Sequence, residues 1–174
     1  AKKGVDVVLL EKRHIAAGAS GLNMGYVNIS AKNPAFYTRF SKISADMYPD
    51  LNEELGGDIE YERNGSLHVA ETEQEWDELS KIVDQRNNVN GMGMRMLTID
   101  EMRQMEPNLS AHLLGGFYCP IDGGVNPLKL TRAFVRQAIR KGARILTDRE
   151  VLDIRVASGR IEEVITSRET ISKR

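Results

Sequence analysis

Apolar residues fall into short runs and helical stripes along the chain. Val5-Asp6-Val7-Val8-Leu9-Leu10 lies between Gly4 and Glu11-Lys12-Arg13, the pattern of a buried parallel strand, although so short a run leaves a buried helix open. Ala16-Ala17-Gly18-Ala19-Ser20-Gly21-Leu22-Asn23-Met24-Gly25 has too little side chain to build a core and predicts a loop whose backbone can approach another group closely. Asn33-Pro34 then predicts a helix start, with Asn33 as cap and Pro34 at the first helical position. Phe36, Phe40, Ile43, Met47, Leu51 and Leu55 follow at spacings of three and four, one apolar face of a helix that Pro49 kinks or breaks and Gly56-Gly57 stops.

The runs Ile59–Glu62 and Ser66–Ala70 flank Arg63-Asn64-Gly65, a hairpin signal. Thr72 with Glu75, and Thr98 with Glu101, are capping boxes that predict two helices. The first has a Trp76, Leu79 and Val83 stripe, and the second must end before Pro107. A strand is predicted over 113–118. A third long helix is predicted over 128–141, capped by Asn126-Pro127. Its expected buried stripe is Leu130, Phe134 and Ala138 with Val135 and Ile139 beside them, and Lys129, Arg132, Arg136 and Arg140 line the opposite face. A strand at Ala143–Leu146 and a hairpin through Ser158-Gly159 complete the pattern. This order, strand and small-residue loop, then a mixed section, then a returning helix and strand, implies an α/β nucleotide-binding layer with a second domain inserted into it.

Composition narrows the class. The chain has 174 residues, with 24 basic and 25 acidic, a net charge of −1 that argues against a nucleic-acid coat. Apolar residues make up 41% and charged residues 28%, which suits a globular chain. Its longest apolar runs fall far short of the roughly 18 residues of a membrane span. Cys119 is the single cysteine, so an internal disulfide and a cysteine-rich metal site are excluded, and a reducing, cytoplasmic location is expected. Asp6 and Glu11 break any apolar leader. The absence of an initiating Met, and a start that looks like the last turn of a helix ending at Gly4, lead to the expectation of a fragment.

Candidate chemistry begins with Glu11. An acidic residue at the end of the second strand of a doubly wound sheet can accept hydrogen bonds from adenosine ribose hydroxyls; the competing reading is an ordinary charged strand end. The fingerprint glycines that would decide between them are missing, and Gly91-Met92-Gly93-Met94 reads as a loop. The loop from Gly18 to Gly25 could present backbone N–H groups to a diphosphate or a flavin edge, with Ser20 and Asn23 adding side-chain bonds, or could be a plain turn. His14, His68 and His112 sit in no ligand-spaced motif, no metal site is expected, and Cys119 reads as a buried structural thiol. The methionines read as packing residues.

With these residues in place, the sequence resembles the D-amino acid oxidase superfamily of FAD-dependent oxidoreductases, which includes glycine oxidase, sarcosine oxidase and amino-acid dehydrogenase subunits. Two stretches carry the likeness. One is Val7-Val8-Leu9-Leu10-Glu11-Lys12 running into Gly18–Gly25. The other is Gly115-Gly116-Phe117-Tyr118-Cys119-Pro120 with Asp122-Gly123-Gly124-Val125-Asn126-Pro127, followed by Leu130-Thr131-Arg132-Ala133 and Lys141-Gly142-Ala143. The resemblance implies an α/β (α+β overall) fold: part of an FAD-binding doubly wound sheet with an inserted substrate-domain section. Residues 1–44 and 121–174 would belong to the cofactor side and 45–120 to the substrate side.

The resemblance also implies roles. Glu11 would bind the FAD ribose and Lys12 would lie beside the adenine end. Ala19, Ser20 and Gly21 would line the diphosphate and flavin side. Asn23, Met24 and Gly25 would pass the isoalloxazine ring, and Val151 would offer backbone bonds to adenine. Asn126 would be structural. The activity implied is oxidation of an amine or amino acid by hydride transfer to flavin, with Tyr26 or Tyr118 as candidates to meet a substrate carboxylate. No catalytic residue is named. The family's G-x-G-x-x-G strand and turn would precede Ala1, and its closing C-terminal part would follow Arg174. The isolated chain is therefore expected to be inactive and to hold FAD poorly, with the remainder of a parent chain as partner. An unpaired edge on the first strand would favour pairing with another copy, and membrane attachment would come through partners. A non-enzymatic scaffold that keeps part of a flavoprotein fold is the alternative, and a nicotinamide-dependent dehydrogenase a third reading.

Overall fold

The computed structural model describes residues 3–89 and 91–172. In chain order the elements are β1 (Val8–Leu10), α1 (Ala19–Leu22), β2 (Tyr26–Val27), α2 (Ala35–Asp46), α3 (Tyr48–Glu54), β3 (Ser66–Ala70), α4 (Glu73–Asn87), β4 (Arg95–Thr98), α5 (Ile99–Met105), β5 (Gly115–Cys119), β6 (Gly123–Gly124), α6 (Pro127–Arg140), β7 (Arg144–Leu146), β8 (Val151–Ala157), β9 (Arg160–Thr166) and β10 (Thr170–Ser172). They form two compact units, one of residues 1–24 with 127–174 and one of residues 25–126.

In the first unit β1 and β7 run parallel, with Val8 opposite Arg144 and Leu10 opposite Leu146, as the β-branched run predicts, but the strand is shorter than that run and is not buried, with Val5 and Leu9 exposed. Among the described residues β7 is the only strand paired with β1. The turn expected before Gly4 falls partly on Ala1 and Lys2, outside the described residues; Gly4 itself is left-handed, with φ 74°. The stretch expected as a loop contains one helical turn, α1. Helix α6 packs on it at Gly21, where a Cβ would overlap the Ala16 carbonyl and press on Leu128 at 3.1 Å. The predicted stripe on α6 needs correction: Ala133 is the buried residue, while Phe134 and Ile139 are about half exposed. The C-terminal hairpin forms as expected, Ser158 and Gly159 turning with φ of 51° and 72°. It gains an unanticipated third strand in the order β10-β9-β8.

In the second unit β3 and β4 flank β5, both antiparallel to it. The expected hairpin between Ile59–Glu62 and Ser66–Ala70 does not form. Ser66–Ala70 pairs with Gly115–Cys119 instead, and Glu62 makes a single bridge to Gly124. The reason lies in Gly115 and Gly116, whose missing side chains let β4 and β3 close on β5: a Cβ on Gly116 would overlap the His68 carbonyl, and one on Gly115 the Leu97 carbonyl. Both capping boxes form: Thr72 Oγ1 accepts from Glu75 N at 3.2 Å and Thr98 Oγ1 from Glu101 N at 3.4 Å, each Glu returning a bond to the cap backbone. Those backbone bonds hold the Glu75 and Glu101 carboxyls below the usual carboxylate range. The core gathers Val27, Ile29, Ala45, Val83, Met92, Met94, Phe117 and Cys119. Met102 is also buried, so three methionines pack as expected.

Helix α2 starts one residue later than predicted. Pro34 is its cap, after a cis Asn33–Pro34 peptide, and Pro49 breaks the stripe by opening α3 rather than bending one long helix. The larger correction concerns burial. Phe36, Phe40, Ile43 and Met47 are 59–73% exposed, and Thr38 and Ala45 are the buried residues of α2. The periodicity located an apolar face correctly but not what it rests on.

Candidate functional site

In the first unit, β1 delivers Glu11 to the carboxyl edge of a parallel pair. Its backbone is held from both sides: Glu11 N donates to Leu146 O at 2.9 Å, and Arg149 N donates to Glu11 O at 2.9 Å. Glu11 Oε1 accepts from Arg13 N at 2.8 Å, which fixes the side chain. Among the described residues Oε2 has no partner, so one carboxylate oxygen remains to accept from a ligand hydroxyl. Lys12 Nζ meets Glu150 Oε1 at 2.6 Å, which draws the start of β8, with Val151, to the same edge. Glu11, Lys12 and Val151 are thus gathered, although the Lys12 ammonium is already paired.

The small-residue stretch divides. Ala19, Ser20 and Gly21 belong to α1, and Asn23 Nδ2 closes that turn by donating to Ala19 O at 3.1 Å and Ser20 O at 2.9 Å. The bareness of Gly21 serves the chain's own packing; at Gly18 a Cβ would meet open space. Met24 is highly exposed. Gly25 lies in the second unit, buried, with φ 76°.

That unit holds a cavity of about 590 Å³, lined by Tyr26, Asn28, Glu60, Glu62, Ser66 and His68 among others. Its floor is Asp122, 2% exposed. Asp122 Oδ1 accepts from Ile29 N at 2.6 Å and Ser30 N at 3.2 Å. Oδ2 accepts from the Ser30 hydroxyl at 2.5 Å and the Ser66 hydroxyl at 2.7 Å. Four donors on two oxygens suit an acceptor-only carboxylate, and its burial is tolerable because each lone-pair direction is used. His68 Nε2 lies 3.3 Å from Ser30 Oγ, and the ring stacks on Phe117 with centroids 4.4 Å apart. Burial pushes His68 below the usual imidazole range, while the Asp122 charge pulls it back up. Burial pushes the Cys119 thiol up to about 11, with Asp122 adding in the same direction, so the expected inert thiol is what the surroundings produce. Among the described residues no group of His, Cys, Asp and Glu is arranged to hold a metal ion.

Sequence reasoning singled out Tyr26, which does line the cavity. Tyr118 lies outside the lining and packs instead against Gly65, with the Arg95 guanidinium 5.5 Å over its ring. The Asp122 network was missed. Asp122-Gly123-Gly124 was its only trace. Ser30, Ser66 and His68 carry no local signal, because a turn after β2 and one face of β3 meet only where both reach Asp122.

The model of the family described as FAD dependent oxidoreductase matches residues 1–173. The chain belongs to that family. It is 28% identical over 164 residues to the mitochondrial pyruvate dehydrogenase phosphatase regulatory subunit of Mus musculus, covering 94% of this chain and 18% of the relative. It is 32% identical to glycine oxidase of Geobacillus kaustophilus, covering 89% of this chain and 43% of that one. The crystal structure of glycine oxidase from Bacillus cereus matches with a TM-score of 0.84 and 34% identity, over 98% of this chain and 48% of that one. The chain thus spans less than half the length of each of these relatives. Family membership makes FAD the relevant cofactor, and the free oxygen of Glu11 at the sheet edge fits the ribose end of that group. Helix α1, which the resemblance would set against the diphosphate, is a single turn whose Gly21 and Asn23 serve its own packing and hydrogen bonds. The mixed α/β architecture agrees with the fold expected of the family. Among the described residues no helix is long and apolar enough to cross a membrane.

Proposed function

We propose that this chain supplies the adenosine-side edge and part of the substrate side of an FAD-dependent oxidoreductase acting on a small amine or amino acid. Residues 1–44 and 121–174 are assigned to the cofactor side and 45–120 to the substrate side. The observation that carries the reading is Glu11: an anionic acceptor with one unpaired oxygen, pinned by its backbone at the carboxyl edge of parallel strands. Its task is to take a ribose hydroxyl. Val151 offers backbone beside it for adenine, and the Lys12–Glu150 pair holds the two segments together. Ala19, Ser20 and Gly21 would line the diphosphate side, and Asn23, Met24 and Gly25 would run past the ring system. Bound FAD would supply the hydride acceptor. The cavity of the second unit, with Glu60, Glu62 and Asp122 and no Lys or Arg among its described lining residues, favours a cation such as an ammonium group.

Fluorescence titration with FAD and with FMN, which lacks the adenosine, tests the assignment. The expected result is weak binding in which FAD exceeds FMN, with the difference erased by Glu11→Ala. Equal affinity for the two flavins, or an unchanged preference in Glu11→Ala, refutes it. A second reading, a non-enzymatic scaffold, is favoured by the likeness to a phosphatase regulatory subunit. Flavin-dependent turnover of an amine by a polypeptide containing this chain would exclude it.

A further inference from the structure

We propose that His68 is the proton-accepting residue of the second-unit cavity and that the ligand it serves is a small protonated amine; the proposal rests on the amine-oxidoreductase reading above. The geometry assigns its tautomer. Ser30 has one hydroxyl proton, and the Asp122 carboxylate oxygen at 2.5 Å can only accept it. The 3.3 Å contact between Ser30 Oγ and His68 Nε2 is then a donation from Nε2–H to the serine oxygen. A neutral imidazole protonated on Nε2 carries its lone pair on Nδ1. Among the described residues Nδ1 has no hydrogen-bond partner, and His68 lines the cavity.

The arrangement is rigid. His68 sits opposite Phe117 in the β3–β5 register and its ring lies 17° from parallel to the phenyl ring. Ser66, two residues before His68 and on the same face of β3, donates to the same Asp122 oxygen at 2.7 Å. Asp122 is the charge that acts on the ring, and the other titratable groups lining the same cavity, Glu60, Glu62 and Tyr26, include no cation.

The chemistry explains why such a device is useful. At neutral pH an alkylamine enters as an ammonium ion, which acidic lining residues attract. Hydride cannot leave the carbon beside a protonated nitrogen, because no lone pair is available to form the C=N bond. One N–H bond must break first. The proton passes to His68 Nδ1, a new N–H bond forms there, and the amine keeps the electron pair. The imidazolium is stabilised by Asp122 acting through Ser30. Burial of the ring, the larger effect, disfavours holding the proton, and the Asp122 charge partly offsets it, so the ring passes the proton on readily.

NMR of the uniformly ¹⁵N-labelled chain tests this without flavin, through the His68 ring nitrogens and the backbone amides of the cavity residues. The expected result is a His68 Hε2 protected from solvent exchange, lost in Ser30→Ala, and an Nδ1 resonance that shifts saturably with dimethylammonium but not with tetramethylammonium, which has no N–H to donate. An Nδ1–H tautomer overturns the role of His68 while leaving the amine reading intact. A protected Hε2 with Nδ1 indifferent to dimethylammonium, while Tyr26 or Ser66 resonances respond, also overturns it. Silence of every cavity resonance overturns both. Should Ser30→Ala not fold, Ser30→Thr keeps the hydroxyl and must preserve the protected Hε2.

Discussion

Replacing Asp122 by Asn removes a charge and almost no volume, so it isolates the carboxylate's contribution to the fold. The wild-type group accepts two backbone N–H and two hydroxyl bonds at 2.5–3.2 Å. Bonds to a charged partner contribute about 1.5–3 kcal/mol and neutral ones about 0.5–1.5 kcal/mol, a difference of about 1 kcal/mol per bond. The asparagine oxygen can keep the Ile29 and Ser30 backbone donors. Its NH₂ then faces two hydroxyls that previously donated and must turn round. With four bonds setting a ceiling of about 4 kcal/mol, the expected loss is about 2–3 kcal/mol. Asp122→Ala should cost more, about 4 kcal/mol or above, because it leaves buried donors with no acceptor. Urea unfolding followed by far-ultraviolet circular dichroism measures both. For an m-value of about 1.5–2 kcal/mol/M, Asp122→Asn moves the midpoint down by about 1–2 M. A change below about 0.5 kcal/mol, or an alanine variant no worse than the asparagine one, would refute the claim that this carboxylate ties residues 29–30 to β3.

Because burial lowers the His68 pKa, the unfolded chain takes a proton near the ordinary value of 6.5 while the folded chain resists it. This group's contribution to stability therefore falls as pH drops from about 6.5 towards the folded value, and His68→Gln should flatten the stability profile in that window when thermal melts are compared. Cys119, pushed up to about 11, should react with iodoacetamide at pH 8 far more slowly in the folded chain than in urea; equal rates would contradict its burial. Gly116→Ala should cost about 3 kcal/mol or more in thermal unfolding, because a Cβ there overlaps the His68 backbone and β3 cannot close on β5. Phe36→Ser and Phe40→Ser should change unfolding free energy by no more than about 0.5 kcal/mol, since both side chains are about 70% exposed, while lowering binding of a hydrophobic dye.

Local chemistry was readable from the chain alone. Thr72 with Glu75 and Thr98 with Glu101 set their helix starts because a cap needs only its own turn. The run ending in Glu11 marked a parallel strand and its acidic tip, but the strand covers only Val8–Leu10, and Leu9 at 44% exposed shows that the burial expected from the apolar run is not met. The turn at Ser158-Gly159 followed from the left-handed conformations such a hairpin demands. Partnership was decided only in three dimensions. Nothing near Ser66–Ala70 told it to pair with Gly115–Cys119 rather than with Ile59–Glu62. That choice came from two glycines some fifty residues away that allow close approach. The stripe of α2 shows the same limit: periodicity fixes which residues share a face, and burial depends on what reaches that face. Asp122, Ser30 and the Ser66–His68 stretch of β3 lie far apart along the chain, and only the register of β3 against β5, the turn after β5 and the segment after β2 bring a carboxylate, two hydroxyls and an imidazole within bonding distance, because a hydrogen-bond network is a property of positions in space rather than of spacing in sequence.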